Sequence, residues 1–234
     1  MRLNNRSNDQ MRALSFEVNV TKYAEGSCLV KFGDTHVLCT ASVEENTPKW
    51  LAGKGEGWIT AEYCMLPRST HQRIQREKAL NGGRSQEISR LIGRALRSGF
   101  DLKKMPEKSI ILDCDVIQAD GGTRTAAVTG GFIAIKQALN FLLKQGLLKQ
   151  DPTLFQVAAV SVGKSGPNIQ VDLDFEEDSH CDSDVNFVMN SNMEFVEIQG
   201  TAEKQTFSSV EFQNMMTVAQ KTCASIFESQ KRFL

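Results

Sequence analysis

The sequence has few of the side chains that commonly build metal sites or activated nucleophiles. Its 234 residues include three histidines, His36, His71 and His180, which lie far apart in the chain. The six cysteines form no CxxC pair and no cysteine–histidine cluster with zinc spacing. No serine lies in the strand–turn–helix context of a nucleophile elbow. The sequence therefore gives no support for a zinc site or for a Ser-His-Asp or Cys-His mechanism.

Long apolar runs are also lacking. No uninterrupted run approaches the ~20 residues that span a bilayer, and the opening stretch MRLNNRSNDQ has none of the apolar character of a signal peptide. Most cysteines lie in apolar runs, which is typical of buried free thiols in a reducing compartment. We therefore expect a soluble, cytoplasmic protein with no membrane partner.

A balanced net charge hides two segments of opposite sign. The formal net charge is −1. Residues 68–97 hold eight Lys or Arg and two acids, whereas residues 172–184 hold seven acids and no Lys or Arg. A basic segment and an acidic one in the same chain indicate a charged substrate, with a cation to accompany it.

Hydrophobic periodicity predicts strands alternating with helices. Ile88, Leu91, Ile92, Ala95 and Leu96 form one helical stripe, and residues 109–118 alternate in the manner of a half-buried strand. The order of elements predicts a single domain over residues 1–234, of the α+β or mixed α/β class, with two similar halves. The predicted strands lie within 27–44 and at 58–66, 109–118, 155–162, 169–175, 184–189 and 195–199. The predicted helices span 85–99, the stretch after Thr125 up to 144, and a segment that starts at Ser208 with a capping box to Glu211.

The stretch Gly121-Gly122-Thr123-Arg124-Thr125 joins a predicted strand to a long predicted helix. The first N–H groups of a helix have no internal partner, and glycine lets an anion approach them closely. Two threonine hydroxyls and an arginine could add bonds to a phosphate. The alternative is a plain turn with a surface arginine, since the stretch matches neither the Walker A nor the GxGxxG pattern.

Two carboxylates, Asp178 and Asp184, flank the start of a predicted strand, with Asp178 in the loop before it. Mg²⁺ takes one or two carboxylates together with water and phosphate oxygens, so the pair could hold that ion. The alternative is a solvated acidic loop without a ligand.

An arginine-rich segment precedes the first predicted helix. Arg68, Arg73 and Arg76 lie among few apolar residues, as in a flexible arm that holds RNA backbone. A solvated charged loop is the alternative. Arg84 directly precedes the predicted helix and could point at the same anion as Arg124.

Five long segments, in order along nearly the whole chain, resemble the ribonuclease PH family of bacterial phosphate-dependent 3′-to-5′ exoribonucleases. They are TKYAEGSCLVKFGDTHVLCTASVEE, GWITAEYCMLPRSTHQR, GRSQEISRLIGRALR, LDCDVIQADGGTRTAAVTG and EDSHCDSDVNFVM followed by IQGTAE. The resemblance implies a duplicated βαβ-type α+β fold with mixed sheets and packed helices. It also implies a homohexamer built from dimers.

The same resemblance implies roles for individual residues. Phosphate, the co-substrate, would be bound by Arg84, Gly122, Thr123 and Arg124. Asp178 and Asp184 would be the catalytic carboxylates and the ligands of Mg²⁺. The precursor tRNA, or another structured RNA 3′ end, would be held by Arg68, Arg73 and Arg76. The segment between Arg76 and Gly82 is about two residues shorter than is usual in the family.

The resemblance predicts a tRNA nucleotidyltransferase that trims RNA 3′ ends and releases nucleoside diphosphates, with roles in tRNA and rRNA processing. Two other functions remain to be distinguished. One is a non-catalytic RNA-binding ring subunit, and the other is a hydrolytic nuclease that uses water. Retention of both aspartates and both phosphate-binding arginines favours the phosphorolytic enzyme over the non-catalytic subunit.

Overall fold

The computed structural model describes residues 2, 5–76, 79 and 82–234. The first part of the chain forms a five-stranded sheet in the order β1-β2-β3-β5-β4. Its strands are β1 (Leu14–Val18), β2 (Gly26–Phe32), β3 (Thr35–Glu44), β4 (Trp58–Met65) and β5 (Ser109–Gln118). Among the described strands of this sheet only β4 and β5 pair in parallel, so the sheet is mixed.

The β2–β3 hairpin and β5 follow the pattern of the sequence closely. The region 27–44, predicted to hold strands, forms β2 and β3, and the turn between them pairs Phe32 with Thr35 across the hairpin. On β5 the alternate residues Ile110, Leu112 and Val116 are fully buried, as expected for one face packed on a core. β1 was not predicted, because its five residues alternate only between half-buried and exposed positions and show no strong apolar face.

Two helices pack on this sheet. Helix α1 (Gly83–Arg97) begins two residues before the predicted start and buries the predicted apolar stripe against β4. Helix α2 (Thr123–Lys144) packs against β2 and β3 on one side and against β6 of the second sheet on the other. This central position explains why most of its residues are buried.

Helix α2 has the length and composition of a membrane span. Its most apolar window has a mean hydropathy of 1.4, although the helix contains no long uninterrupted apolar run. Because 78% of that window is buried inside the fold, the apolar character is that of a core helix.

The second sheet is antiparallel, in the order β7-β6-β8-β9. Its strands are β6 (Val157–Ser165), β7 (Asn168–Val171), β8 (Ser183–Asn190) and β9 (Phe195–Ala202). Helix α4 (Ser209–Gln230) packs on β6. The predicted capping box of Ser208 and Glu211 is confirmed. Phe207, just before the helix, contacts Phe212 in its first turns, with ring centroids 5.9 Å apart.

One predicted strand, 169–175, is wrong in its second half. β7 ends at Val171, and residues Phe175–His180 form the short helix α3. The Asp174 side chain accepts a hydrogen bond from the N–H of Glu177, and the Glu177 side chain accepts one from the N–H of Asp174. This capping box turns an acidic stretch that resembles a strand into the first turn of a helix.

Residues of both sheets and of α1, α2 and α4 contribute to one connected hydrophobic core. All six cysteines are free, as predicted, and five are buried while Cys64 is half-buried. The predicted α+β class, with mixed pairing and packed helices, is confirmed.

Candidate functional site

A cavity of about 470 Å³ lies where the N-terminal ends of α1 and α2 meet α3 and β8. Every residue predicted to bind phosphate and both predicted catalytic carboxylates line this one cavity. They are Arg84, Gly122, Thr123, Arg124, Asp178 and Asp184. The structure thus brings together residues that are up to 100 positions apart in the chain, which is the arrangement expected of a ligand site.

The glycine turn opens helix α2 toward the cavity. Gly121 and Gly122 both have left-handed backbones, with φ of 73° and 65°. A side chain on Gly121 would meet the carbonyl oxygen of Leu173 at 2.5 Å, so only glycine fits there. Gly122 is the N-cap and has no side chain to cap the helix. The free N–H groups and the positive end of a 22-residue helix are therefore available to an anion.

Arg12 and Thr35 hold this turn in place. The Thr35 hydroxyl donates to the carbonyl of Gly121 at 2.6 Å and accepts from the N–H of Asp120 at 3.0 Å. The Arg12 guanidinium donates to the carbonyl of Asp120 and to both carboxylate oxygens of Asp172, at 3.0 and 2.7 Å. The turn is therefore held by Thr35 directly and by Arg12, which is itself held by Asp172.

Thr123 is the first residue of α2, and its hydroxyl pairs with a buried tyrosine. The Oγ1 atom of Thr123 lies 2.7 Å from the hydroxyl of Tyr63 on β4. Burial raises the pKa of Tyr63, which outweighs the opposing effects of Thr123 and of the nearby Arg84 and Arg124. Tyr63 is therefore neutral at physiological pH and fixes the rotamer of a hydroxyl that lines the cavity.

Arg124 is held by a relay of hydrogen bonds. Its Nη1 donates to Oε1 of Gln199 on β9 at 2.7 Å, and Nε2 of Gln199 donates to Glu87 on α1 at 2.5 Å. Glu87 lies one turn after the exposed Arg84 on the same helix. This relay orients Arg124 and links the two helix ends that carry the cationic side of the cavity.

Asp178 and Asp184 form the acidic side. Asp178 lies in α3, which corrects the prediction that it occupies a loop, and Asp184 lies in β8 as predicted. Burial raises the pKa of Asp178, while the positive charges of Arg124 and Arg84 oppose the shift. Burial also raises the pKa of Asp184, and the charge of Asp178 adds to that rise. A buried carboxylate whose charge is further destabilised by a second carboxylate is suited to bind a cation or to hold a proton.

Two arginines of the N-terminal segment hold helix α3 in place. Arg2 forms a bidentate pair with Glu177 at 2.7 Å for both bonds, and Arg6 reaches the same carboxylate at 2.9 Å. These side chains are almost completely buried. Burial would raise the pKa of Glu177, but the two arginines and the N–H of Asp174 outweigh it and lower the value. Glu177 is thus ionised and fixes the position of the adjacent Asp178.

The three predicted RNA-binding arginines lie outside this cavity. Arg68, Arg73 and Arg76 are all exposed. Arg68 lines a depression of about 350 Å³ that shares Thr70, His71 and Ala119 with the cavity. Arg73 lines a depression of about 590 Å³ that shares Arg84 with it. Most of the shortened stretch between Arg76 and Gly82 lies outside the described residues.

A dedicated metal cage is not found. No group of three or more His, Cys, Asp or Glu side chains that could hold a metal ion occurs within the described ranges. The donor set of the cavity is two carboxylates, with the side-chain amide of Asn186 at 3.5 Å from Asp184 Oδ2. This set fits Mg²⁺, which keeps several waters and uses one or two carboxylates with phosphate oxygens.

Sequence reasoning missed Arg12, Thr35, Tyr63, Asp172 and Gln199. Thr35, Tyr63 and Gln199 lie in segments that carry the family resemblance, but no local pattern gives them a role at the site. Each of the five acts through a partner at least 60 positions away. Only the pairing of sheet strands and the packing of α2 bring them to the site.

Comparisons with known proteins agree with this architecture. Sequence models of the 3′ exoribonuclease family match residues 10–139 (domain 1) and 156–222 (domain 2). Ribonuclease PH of Bdellovibrio bacteriovorus is 54% identical over 230 residues, covering 98% of this chain and 95% of that protein. Ribonuclease PH of Caulobacter vibrioides is 53% identical over 233 residues, covering 99% and 98%.

Solved structures show the same fold at low identity. Rice (Oryza sativa) Rrp46 superimposes with a TM-score of 0.80 at 17% identity, covering 98% of both chains. The structure of the Archaeoglobus fulgidus exosome with RNA bound to the active site gives a TM-score of 0.79 at 22% identity, covering 98% of this chain and 92% of that one.

The fold and the sequence matches define an RNA-degrading enzyme. The chain belongs to the 3′ exoribonuclease family, which both family models and relatives above 50% identity show. The predicted family resemblance, fold class, exoribonuclease activity and enzyme class are thereby confirmed.

Proposed function

We propose that this protein is a phosphate-dependent 3′-to-5′ exoribonuclease that trims precursor tRNA and other structured RNA 3′ ends. The observation that carries the proposal is the cavity itself. It combines a cationic side, formed by Arg84, Arg124 and the start of α2, with an acidic side formed by Asp178 and Asp184. The cationic side is suited to bind an anionic nucleophile and a phosphodiester. The acidic side could supply a proton or a bound cation to the oxygen that leaves.

Inorganic phosphate would bind at the N-terminal end of α2. The free N–H groups after Gly122, the hydroxyl of Thr123 and the guanidinium groups of Arg84 and Arg124 are suited to that anion. A hydrogen bond between charged groups contributes about 1.5–3 kcal/mol, and the helix end adds about 0.3–1 kcal/mol. After the entropy of binding is subtracted, these contributions correspond to phosphate affinity in the millimolar to micromolar range.

The reaction is a displacement at phosphorus. An oxygen of the bound phosphate attacks the phosphorus of the last phosphodiester, the bond to the 3′ oxygen of the preceding nucleotide breaks, and a nucleoside diphosphate leaves. The 3′ oxygen takes up the proton that monohydrogen phosphate brings. Asp178 or Asp184 could pass that proton on, because burial raises the pKa of both. No covalent enzyme intermediate is needed, so catalysis rests on positioning and charge stabilisation.

Asp178 and Asp184 are also the residues that would hold Mg²⁺. A bound Mg²⁺ would neutralise charge that develops on the reacting phosphates. Its two protein ligands come from α3 and β8, which are fixed by the Glu177 capping box and by the pairing of β8 with β6 and β9. The second half of the chain would thus present both acids without a flexible element.

The body of the RNA would contact the exposed arginines outside the cavity. Arg68 and Arg73 line depressions that share residues with the cavity, so RNA held there would have its 3′ end near the proposed phosphate site. Arg76 continues the same basic segment. The basic arm and the cavity together favour a processing enzyme for structured RNA with a short single-stranded end.

Assembly and location complete the proposal. We propose a homohexamer of three dimers in which each chain is one folded unit over residues 1–234. In support, β4 is an edge strand of the first sheet, and Trp50 is 57% exposed beside it, in edge-to-face contact with Trp58. Six free thiols fit the reducing bacterial cytoplasm.

Product identity tests the proposal. A tRNA with a short 3′ extension is incubated with the protein in phosphate buffer and in phosphate-free buffer, and the released nucleotides are separated. We expect nucleoside diphosphates with phosphate and almost no release without it. Nucleoside monophosphates in phosphate-free buffer would show a hydrolytic nuclease instead. RNA binding without any product would show a non-catalytic subunit.

A further inference from the structure

One large apolar side chain of the cavity is left open to solvent. Phe175 is the first residue of α3, and it is 53% exposed although it lines the cavity. Asp178 follows three residues later and therefore lies on the same side of the helix. An aromatic ring that remains exposed next to the proposed catalytic carboxylates is placed to contact a ligand rather than the core.

His71 faces this ring from the loop after β4. The two ring centroids are 6.4 Å apart and the planes are tilted by 58°. His71 is itself exposed and lines the same cavity. The pair forms an open aromatic corner, and Met65 and Ile74 supply further apolar lining. The cavity therefore has an apolar part beside its cationic and acidic parts.

We propose that the aromatic corner of Phe175 and His71 binds the base of the 3′-terminal nucleotide of the RNA. The base stacks on the ring of Phe175, and His71 closes the edge of the corner. This inference rests on the proposed function, because an exoribonuclease must accept each of the four bases in turn at one place. Stacking meets that requirement, since every base has a π-face and no base-specific hydrogen bond is needed.

In this proposal the rest of the RNA strand would lie in the depression of about 350 Å³ next to the cavity. It shares Thr70 and His71 with the cavity and continues to Arg68. A strand whose last base occupies the aromatic corner would place its preceding phosphates along this depression, where the exposed Arg68 could contact them.

Binding measurements with and without the terminal base test the proposal. Two fluorescently labelled hexaribonucleotides are compared in phosphate-free buffer, one complete and one ending in an abasic ribose. Stacking contributes about 1–3 kcal/mol per base, so we expect wild-type protein to bind the complete RNA about 5- to 150-fold more tightly. Phe175→Ala should lose that preference and Phe175→Trp should keep it. Tyr23→Ala, which alters an 87% exposed aromatic residue that does not line the cavity, should bind like the wild type.

The proposal would be overturned if Phe175→Ala kept the preference for the complete RNA. This holds whether the variant binds both RNAs as tightly as the wild type, binds both equally more weakly, or changes its oligomeric state. Because the measurement needs no phosphate and no turnover, it is independent of the reaction. If the protein bound RNA in a base-dependent way but released no nucleoside diphosphate, the proposed function would be refuted while base binding at the aromatic corner would still be supported.

Discussion

Replacing Arg124 with alanine removes the guanidinium that the proposed phosphate site depends on most. The side chain is held in place by Gln199 at 2.7 Å, and Gln199 is held by Glu87, so little entropy is lost when Arg124 binds an anion. Loss of one charge-assisted bond at about 1.5–3 kcal/mol corresponds to a KM for phosphate that is about 10- to 150-fold higher. The affinity for RNA in phosphate-free buffer should change less than about threefold, since the arginines of the basic arm remain.

The assay is the initial rate of nucleoside diphosphate release as a function of phosphate concentration. Arg94→Ala is the matched control, because Arg94 is an exposed α1 arginine that pairs with Glu197 and does not line the cavity. Gln199→Met should raise the phosphate KM by a smaller factor than Arg124→Ala, as it releases the guanidinium without removing it. Equal losses of phosphate and RNA affinity in Arg124→Ala, with a lowered unfolding free energy, would make Arg124 a structural residue and refute the reasoning.

Three other predictions follow from the contacts. Arg12→Met and Asp172→Asn should each lower the unfolding free energy by up to about 3–5 kcal/mol in urea titrations, because each removes the closest partner of a buried charge. The double variant should lose much less than the sum, and strict additivity would contradict the pairing. Arg73→Ala should reduce the slope of log Kd for tRNA against log salt by about one, and an unchanged slope would exclude a phosphate contact. Burial raises the pKa of Cys223 to about 12, so the contribution of this thiol to stability is complete below about pH 8.5 and declines as the pH rises toward 12. Thiol titration of the native protein at pH 8 should detect only the half-buried Cys64. Rapid reaction of all six thiols would contradict the burial.

Local patterns predicted the elements that carry their own signals. The alternation on β5, the apolar stripe of α1 and the capping box at Ser208 depend on neighbouring residues, and the structure confirms each of them. The strand predicted at 169–175 was wrong after Val171, because the reciprocal bonds of Asp174 and Glu177 make this segment a helix start. β1 has no such signal and depends on pairing with β2.

The residues of the site also fall into those that local sequence could predict and those that it could not. The place of Gly122, Thr123 and Arg124 at the start of a long helix could be predicted from the local sequence, and the proposed phosphate role came from the family resemblance. The residues that hold this turn could not, because Arg12 reaches Asp172 across 160 positions and Tyr63 reaches Thr123 across 60. Such contacts exist only after the two sheets enclose α2. The aromatic corner is of the same kind, since His71 and Phe175 meet only in the folded chain.

The central claim is that phosphate bound at the start of α2 is the nucleophile. The most direct measurement supplies ³²P-labelled inorganic phosphate with unlabelled, 3′-extended tRNA and locates the label in the released nucleotides. The account predicts that the label appears in the terminal phosphate of nucleoside diphosphates, at one label per nucleotide removed, and that Arg124→Ala slows the transfer at least tenfold at low phosphate. Nucleotides released without label would contradict it.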